Sequence, residues 1–232
     1  MPNVYTRQWF STFLGRIDAA IVEREVAFLR RQLPAGARVL DLCCGPGRHA
    51  GPLSDAGYRI IGLDRDANAL IDAARSAPRA CFIRADMRQI PFAPASVDAV
   101  ICMWQSFGHF DFAGNRGVLA ELHRVLAPNG RLVFDLYHRS FHAARVGSRT
   151  IERDGERVHE SRVMSAERLR VTLRYESSGS EESFDWELFT PASLSSLAAA
   201  TGFGLRFACA EFDESTEAAA ERARMQIILE RL

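Results

Sequence analysis

Lysine is absent: all 29 basic residues of this 232-residue chain are arginine. That excludes Schiff-base chemistry, a lysine general base and the phosphate-binding lysine of a P-loop. Net charge is lacking as well, because 29 acidic residues balance the arginines. No long-range field then draws a polyanion to the surface, so nucleic acid is not expected as a partner. No apolar run approaches the roughly 18 residues needed to cross a bilayer. The first residues, MPNVYTRQWF, show no basic segment leading into an apolar one, so we expect no signal peptide, no membrane partner and a cytoplasmic location. Cysteines number five, at 43, 44, 81, 102 and 209, with no CxxC pair and no histidine at zinc spacing. Buried reduced thiols and no metal are the expectation.

What is present is a rhythm. Apolar residues from Thr6 to Leu33 recur at helical spacing, and Pro34-Ala35-Gly36 ends them. Short apolar runs at Arg38–Cys43, Arg59–Asp64, Ala80–Ala85, Val97–Met103 and Arg131–Tyr137 then alternate with helical stretches. Such alternation predicts right-handed crossovers and a parallel sheet covered on both faces. After about Phe141 the segments turn polar and alternating, separated by Asp154-Gly155 and Ser177-Ser178-Gly179-Ser180, which predicts an antiparallel meander. Pro191 to Ala200 reads as a helix and Phe203 to Phe212 as a strand, while Ala223 to Leu229 fits either a strand or a helix end. The predicted organisation is an N-terminal helical lid (1–36), an α/β core (37–140 and 189–232) and an inserted β-meander (141–188) that caps the core's site.

The segment Val39-Leu40-Asp41-Leu42-Cys43-Cys44-Gly45-Pro46-Gly47-Arg48-His49 is the most informative. A strand ending in Gly-x-Gly before a helix lets backbone approach a ligand, with N–H groups pointing at it. Its GxGxx(G/A) form also satisfies the dinucleotide pattern. Asp41, inside the strand, argues otherwise: a carboxylate there repels a pyrophosphate and suits an ammonium or sulfonium. Asp64 ends the second strand, where it can accept from ribose hydroxyls, and Asp86 ends the third, where it can accept from an adenine amine. Three acids at consecutive strand tips lie where open α/β sheets bind ligands.

On the segments VLDLCCGPGRH, IIGLDRD, ADMRQIPF, VDAVICMWQSFGHF and ELHRVLAPNGRLVFDLY the chain resembles the class I S-adenosylmethionine-dependent methyltransferases of small-molecule type. The resemblance covers about Leu29 to Tyr137 well and Phe189 to Leu232 loosely. It implies a Rossmann-like, doubly wound seven-stranded sheet ending in an antiparallel hairpin, with S-adenosylmethionine as cofactor and S-adenosylhomocysteine as product. It further implies that Asp41 orients the methionine ammonium, that Cys43, Gly45 and Gly47 line the turn, and that Asp64 holds the ribose. Arg65 would flank adenine, Asp86 and Met87 would read its edge, and Met103 would follow the fourth strand. The chain departs from the family at Cys43, where glycine is usual.

Methyl transfer draws its rate from proximity and exclusion of water. The acceptor is expected over the strand ends, against Trp104, Gln105, Ser106 and Phe107, with Tyr5 and Trp9 as a lid. His109 is the first candidate base, because imidazole titrates near neutrality; Tyr137 and His138 are the others. His49 reads as a capping or packing residue, and His123, His142 and His159 as surface residues. The expected activity is methylation of nitrogen or oxygen on a small molecule, in secondary metabolism, by a monomer or homodimer. Two alternatives stand: a nicotinamide-dependent oxidoreductase, weakened by Asp41, and a non-methylating enzyme or binding protein of methyltransferase descent.

Overall fold

The computed structural model describes residues 3–14, 17–153 and 155–232. A short helix α1 (Arg7–Trp9) runs into a π-helical turn (Phe10–Leu14), and α2 (Ala19–Gln32) follows, capped by Asp18 accepting from Ala20 N. Then come β1 (Arg38–Leu42), α3 (Ala50–Asp55), β2 (Arg59–Asp64), α4 (Ala67–Ser76), β3 (Cys81–Arg84), β4 (Val97–Cys102), α5 (Phe112–Val125) and β5 (Leu126–Tyr137). After α6 (Arg139–Ala143) the chain makes β6 (Gly147–Arg153), β7 (Glu156–Ser165), β8 (Arg168–Tyr175) and β9 (Glu181–Glu187). It closes with α7 (Pro191–Ala199), β10 (Phe203–Ala210), β11 (Asp213–Glu217) and β12 (Arg224–Arg231).

The main sheet has the order β11-β10-β12-β5-β4-β1-β2-β3. Strands β1 to β5 pair in parallel, whereas β12 pairs antiparallel with β5 and with β10. This is the predicted doubly wound sheet with its terminal hairpin, and it resolves Ala223–Leu229 in favour of a strand. It has eight strands where the resemblance implies seven, because the polar run DESTE adds β11 at the edge, paired with β10 and pinned to α2 where Arg31 and Gln32 donate to Glu214. No apolar periodicity marks such a strand in the sequence. The central strands are apolar throughout: Ala99, Val100, Ile101 and Cys102 are fully buried between two helical layers. Because the order reverses between β1 and β4, the C-terminal ends of those strands open a crevice.

Strands β6 to β9 form a separate antiparallel sheet with its own core of Val158, Leu173, Tyr175, Phe184 and Trp186. The N-terminal segment divides its allegiance. Asn3 grips β9 through Asp185, donating to its carbonyl (3.1 Å) and accepting from its N–H (2.8 Å), and Tyr5, Trp9 and Phe13 pack on the second sheet. Helix α2 instead packs on the main sheet through Val26, Phe28 and Leu29. Two expectations fail. His142 is buried, because its ring packs on Tyr137 and faces the Ala223 carbonyl at 3.2 Å. Cys81 is exposed, because β3 is an edge strand. Among the described residues no helix is long and apolar enough to cross a membrane.

Candidate active site

A cavity of about 1100 Å³ lies between the strand tips and the inner face of the second sheet. Its floor is built from β1. Asp41 is 2% exposed and its Oδ2 has no hydrogen-bond partner. Burial, against the pull of His49 and Arg48, raises its pKa to about 6. Beside it Arg48 lines the same cavity, and its Nη2 is 3.0 Å from Glu25. Neither Nη nitrogen is aligned for a hydrogen bond. The open Asp41 carboxylate and the Arg48 guanidinium, ion-paired with Glu25 but without an aligned hydrogen bond, complement the ammonium and carboxylate of an amino acid at one cavity end. A buried carboxylate left without a partner is costly, and a ligand ammonium would relieve it.

The turn after β1 positions these groups. Cys43 takes a left-handed φ of 59°, which explains the glycine usual at that place in the resemblance, and its sulfur lies 3.9 Å from the Met87 sulfur. Gly45 donates to Asp64 Oδ2 (2.9 Å), and a Cβ at Gly45 would meet no atom within 4 Å, so that side of the turn is open. Gly47 differs. A Cβ there would stand 2.9 Å from the Ala73 Cβ, so Gly47 serves the approach of α4 and does not line the cavity. Asp64 also accepts from Asp66 N (2.9 Å), leaving second lone pairs on both oxygens. Arg65, Asp86, Met87 and Met103 lie on the same wall. Asp86 already holds Arg88 through both carboxylate oxygens (3.0 and 2.7 Å), and that guanidinium stacks on Phe110 at 4.6 Å.

After β4 the chain turns through two consecutive left-handed residues, Trp104 (56°) and Gln105 (60°). Buried Asp135 holds the turn, its carboxylate accepting from Trp104 N (3.1 Å) and its carbonyl from Gln105 N (3.0 Å). Asp135 is itself braced by Arg224 and by Gln226 (2.8 Å). The Gln105 side chain accepts from Tyr137 N at 2.6 Å. Ser106 donates back to the Met103 carbonyl at 2.7 Å. Gly108 then passes so near β9 that a Cβ would stand 2.3 Å from the Glu187 carbonyl, which ties this loop to the second sheet.

Tyr5, Trp9, Trp104, Gln105, Ser106, His109 and Tyr137 all reach the cavity, and besides Gly47 two predicted residues do not. Phe107 is fully buried, with ring centroids 4.9 Å from Phe134 and 5.6 Å from Phe189, because it anchors the loop into the core. His138 follows Tyr137 on an extended backbone, so the two side chains point to opposite faces. It is 4% exposed and lies off the cavity. His109 is half-buried, with Asn3 donating to its Nδ1 at 3.1 Å. Burial, with Arg65 and Arg168 nearby, lowers its pKa to about 4, which makes it a poor proton acceptor near neutrality.

The sequence reading missed several residues. Arg48 stands inside the quoted glycine segment but carried no assigned role. Glu25, on α2, is 1% exposed, lies 2.8 Å from His49 Nε2, and accepts from Trp104 Nε1 at 2.8 Å. Nothing in an amphipathic helix distinguishes it beforehand. Trp186 and the arginines of β6 and β7 line the cavity from the inserted sheet, whose alternation was legible but whose inward face was not.

Residues 39–130 match the family model described as a methyltransferase domain. The chain is 32% identical over 197 residues to the dTDP-3-amino-3,6-dideoxy-alpha-D-glucopyranose N,N-dimethyltransferase of Streptomyces fradiae, covering 78% of this chain and 75% of that protein. It is 39% identical over 98 residues to the demethylmenaquinone methyltransferase of Renibacterium salmoninarum, spanning only 40% of that protein's length. Among solved structures it is similar to the S-adenosylmethionine-bound amino pentose methyltransferase of Micromonospora echinaspora involved in calicheamicin biosynthesis. That likeness has a TM-score of 0.72 at 20% identity and covers 100% of both chains. Sheet order, strand-tip acids and a relative matched over three-quarters of its length converge: the chain belongs to the S-adenosylmethionine-dependent methyltransferases.

Proposed function

We propose that this enzyme methylates a nitrogen of a small molecule of secondary metabolism, an amine on a sugar ring. The observation that carries the reading is that Asp41, a buried carboxylate whose Oδ2 has no hydrogen-bond partner, and the Arg48 guanidinium share one cavity with an aromatic wall from the inserted sheet. The Streptomyces fradiae relative is named for dimethylation of an amino sugar linked to a nucleotide, and this supports the choice of acceptor.

S-adenosylmethionine supplies an electrophilic methyl on a sulfonium. In this reading Asp41 accepts from its ammonium, Arg48 donates to its carboxylate, and Cys43 and Gly45 offer backbone. Asp64 would take the ribose hydroxyls through its free lone pairs, and Arg65, Asp86, Met87 and Met103, which line the same wall, would hold the adenine end. The insertion 141–188 and the N-terminal residues Asn3, Tyr5, Trp9 and Phe13 close over the acceptor as cap and lid, with α2 joining 37–140 and 189–232 in the core. Tyr5, Trp9 and Tyr137 wall the acceptor, while Gln105 and Ser106 fix the loop beside it. An amine that has shed its proton to solvent needs orientation and dryness more than a base. This matches a His109 whose pKa is about 4.

Incubation with methyl-labelled S-adenosylmethionine and nucleotide-linked amino sugars, beside their hydroxyl counterparts, tests the reading. Label is expected on the amine only. Label on the hydroxyl sugar, or on neither, would overturn it.

A further inference from the structure

Asp86, just past β3, and Phe110, at the end of the loop after β4, both line the cavity. Arg88, which does not line it, clasps the two. It donates from Nε to Asp86 Oδ1 (3.0 Å) and from Nη2 to Oδ2 (2.7 Å), and its backbone N–H reaches Oδ1 as well (2.9 Å). Its guanidinium carbon lies 4.6 Å from the centre of the Phe110 ring. One planar fork thus holds a carboxylate and an aromatic face at once, which a lysine ammonium does not reproduce. These hydrogen bonds keep the Asp86 carboxyl below its usual range, so it is ionised and purely an acceptor near neutrality. Among the described residues Oδ1 accepts two bonds and Oδ2 one, which leaves the open lone pair on Oδ2. Arg88 therefore sets the direction from which a further N–H can approach Asp86.

Phe110 is fixed by its backbone as well. Its N–H donates to Asn115 Oδ1 (3.2 Å), and its carbonyl accepts from Asn115 Nδ2 (2.9 Å) and Arg168 Nη1 (2.7 Å). Asn115 is fully buried on α5, and the same Nδ2 donates to Glu187 Oε2 at 2.6 Å. Arg168 belongs to β8 and Glu187 to β9. Direct contacts therefore run from Asp86 through Arg88 and Phe110 to the inserted sheet. The Arg88 side chain is 50% exposed, and an ion pair so placed adds little to stability. What it orients is two residues of the cavity.

We propose that Arg88 is a positioning residue for both halves of the transfer: it aims the Asp86 carboxylate at the adenine amine and pins Phe110, so that filling the cofactor site orders the acceptor loop and the strands β8 and β9 behind it. The inference rests on the placement of adenine at Asp86 in the reading above, and goes beyond it by coupling that end of the cavity to the acceptor loop. Such coupling is reciprocal, so an ordered loop also tightens the cofactor.

The test uses the full chain and two probes, S-adenosylhomocysteine and S-inosylhomocysteine, which carries an oxygen where adenine has its amine. Calorimetric titration of the parent is expected to favour the adenine form by at least about tenfold, the scale of a hydrogen bond to a charged group. Hydrogen exchange of the 104–110 and 168–187 amides is expected to slow when that form binds. Arg88→Met keeps an unbranched stem beside Phe110 and has no donors. It should lose most of the purine preference and of the protection, while its denaturation midpoint stays at the parent's. Phe110→Leu should lose the protection and keep the preference, because Asp86 is still aimed. If Arg88→Met keeps the parent's preference, Arg88 does not aim Asp86; if it keeps the protection, Arg88 does not pin the loop. Either result overturns the proposal alone. A parent that binds both purines alike overturns the placement of adenine at Asp86, and the role of Arg88 with it. Neither titration contains an acceptor, so their outcome is separate from that of the amine-methylation test.

Discussion

Glu25 Oε1 accepts from Trp104 Nε1 at 2.8 Å, joining helix α2 to the strained turn after β4. The other carboxylate oxygen faces His49 Nε2 at 2.8 Å and Arg48 at 3.0 Å, and the Arg48 guanidinium lies 4.2 Å over the Trp104 ring. Burial alone would raise the Glu25 pKa, but His49, Arg48 and Trp104 together hold it below the usual glutamate value. Its stabilising contribution is therefore present above the ordinary glutamate range and is lost as pH falls through it.

Glu25→Ala should then destabilise the protein by about 3–5 kcal/mol, since it leaves the Arg48 guanidinium and the His49 and Trp104 ring nitrogens without their shared carboxylate. Glu25→Gln keeps an acceptor for Trp104 and should lose less. Both variants should weaken S-adenosylhomocysteine binding, because Arg48 and Trp104 line the cavity. Chemical denaturation and calorimetry check this. If Glu25→Ala unfolds at the parent's denaturant concentration, the node has no structural role.

Asp41 gives a pH dependence of opposite sense. Its folded pKa of about 6 lies above the ordinary 3.8. The cost of burying its charge is absent below about pH 4, grows as pH rises to about 6, and is fully present above it. Asp41→Asn should therefore stabilise the ligand-free protein near neutrality by about 1–3 kcal/mol while weakening cofactor binding. In the parent, an ammonium on Asp41 requires the ionised carboxylate. Affinity should be flat above pH 6 and fall about tenfold per pH unit below it, with uptake of ligand releasing a proton. Titrations in buffers of different ionisation enthalpy read that proton. An Asp41→Asn variant with the parent's pH profile would remove Asp41 from the site.

Asp64 serves two masters. Its oxygens accept from Gly45 N and Asp66 N, both 2.9 Å away, so it shapes the turn as well as offering lone pairs to a ribose. Asp64→Ala should weaken S-adenosylhomocysteine by about 1–3 kcal/mol while the secondary structure persists. Asp64→Asn, which keeps an acceptor oxygen, should recover part of that loss. Unchanged affinity in both would refute the ribose assignment.

The parallel sheet was legible because its strands are short apolar runs punctuated by Gly, Pro and Asn, and periodicity survives without tertiary context. Asp41, Asp64 and Asp86 were legible for a topological reason: residues at strand tips converge wherever the strand order reverses. The loop after β4 and the aromatics Tyr5 and Trp9 were legible too, but the inserted sheet's share of the cavity was not, because it depends on which face of that sheet turns inward and on partners far apart in sequence. Arg149 and Trp186 belong to one wall only because β6 through β9 pair in register. His138 illustrates the limit at one residue's distance. Its neighbour Tyr137 reaches the cavity, and the alternation of extended backbone sends His138 the other way.

His109 separates composition from environment most sharply. Histidine in a loop beside the strand tips invites the role of base, yet burial and the fields of Arg65 and Arg168 lower its pKa to about 4. Taking a proton from an acceptor near neutrality would then cost about 1.4 kcal/mol for each pH unit of mismatch. Its geometry suits a different task, since Asn3 donates to Nδ1 while gripping β9, joining the N-terminal segment to the acceptor loop. His109→Ala should therefore raise KM and lower kcat by less than about tenfold, well short of the 10²–10⁴ that removing a general base produces. Between pH 5.5 and 8 the kcat profile of His109→Ala should parallel the parent's. His109→Gln, which keeps a polar partner for Asn3, should restore KM. A drop in kcat of a thousandfold, with loss of a titration near neutrality, would return His109 to the role of base.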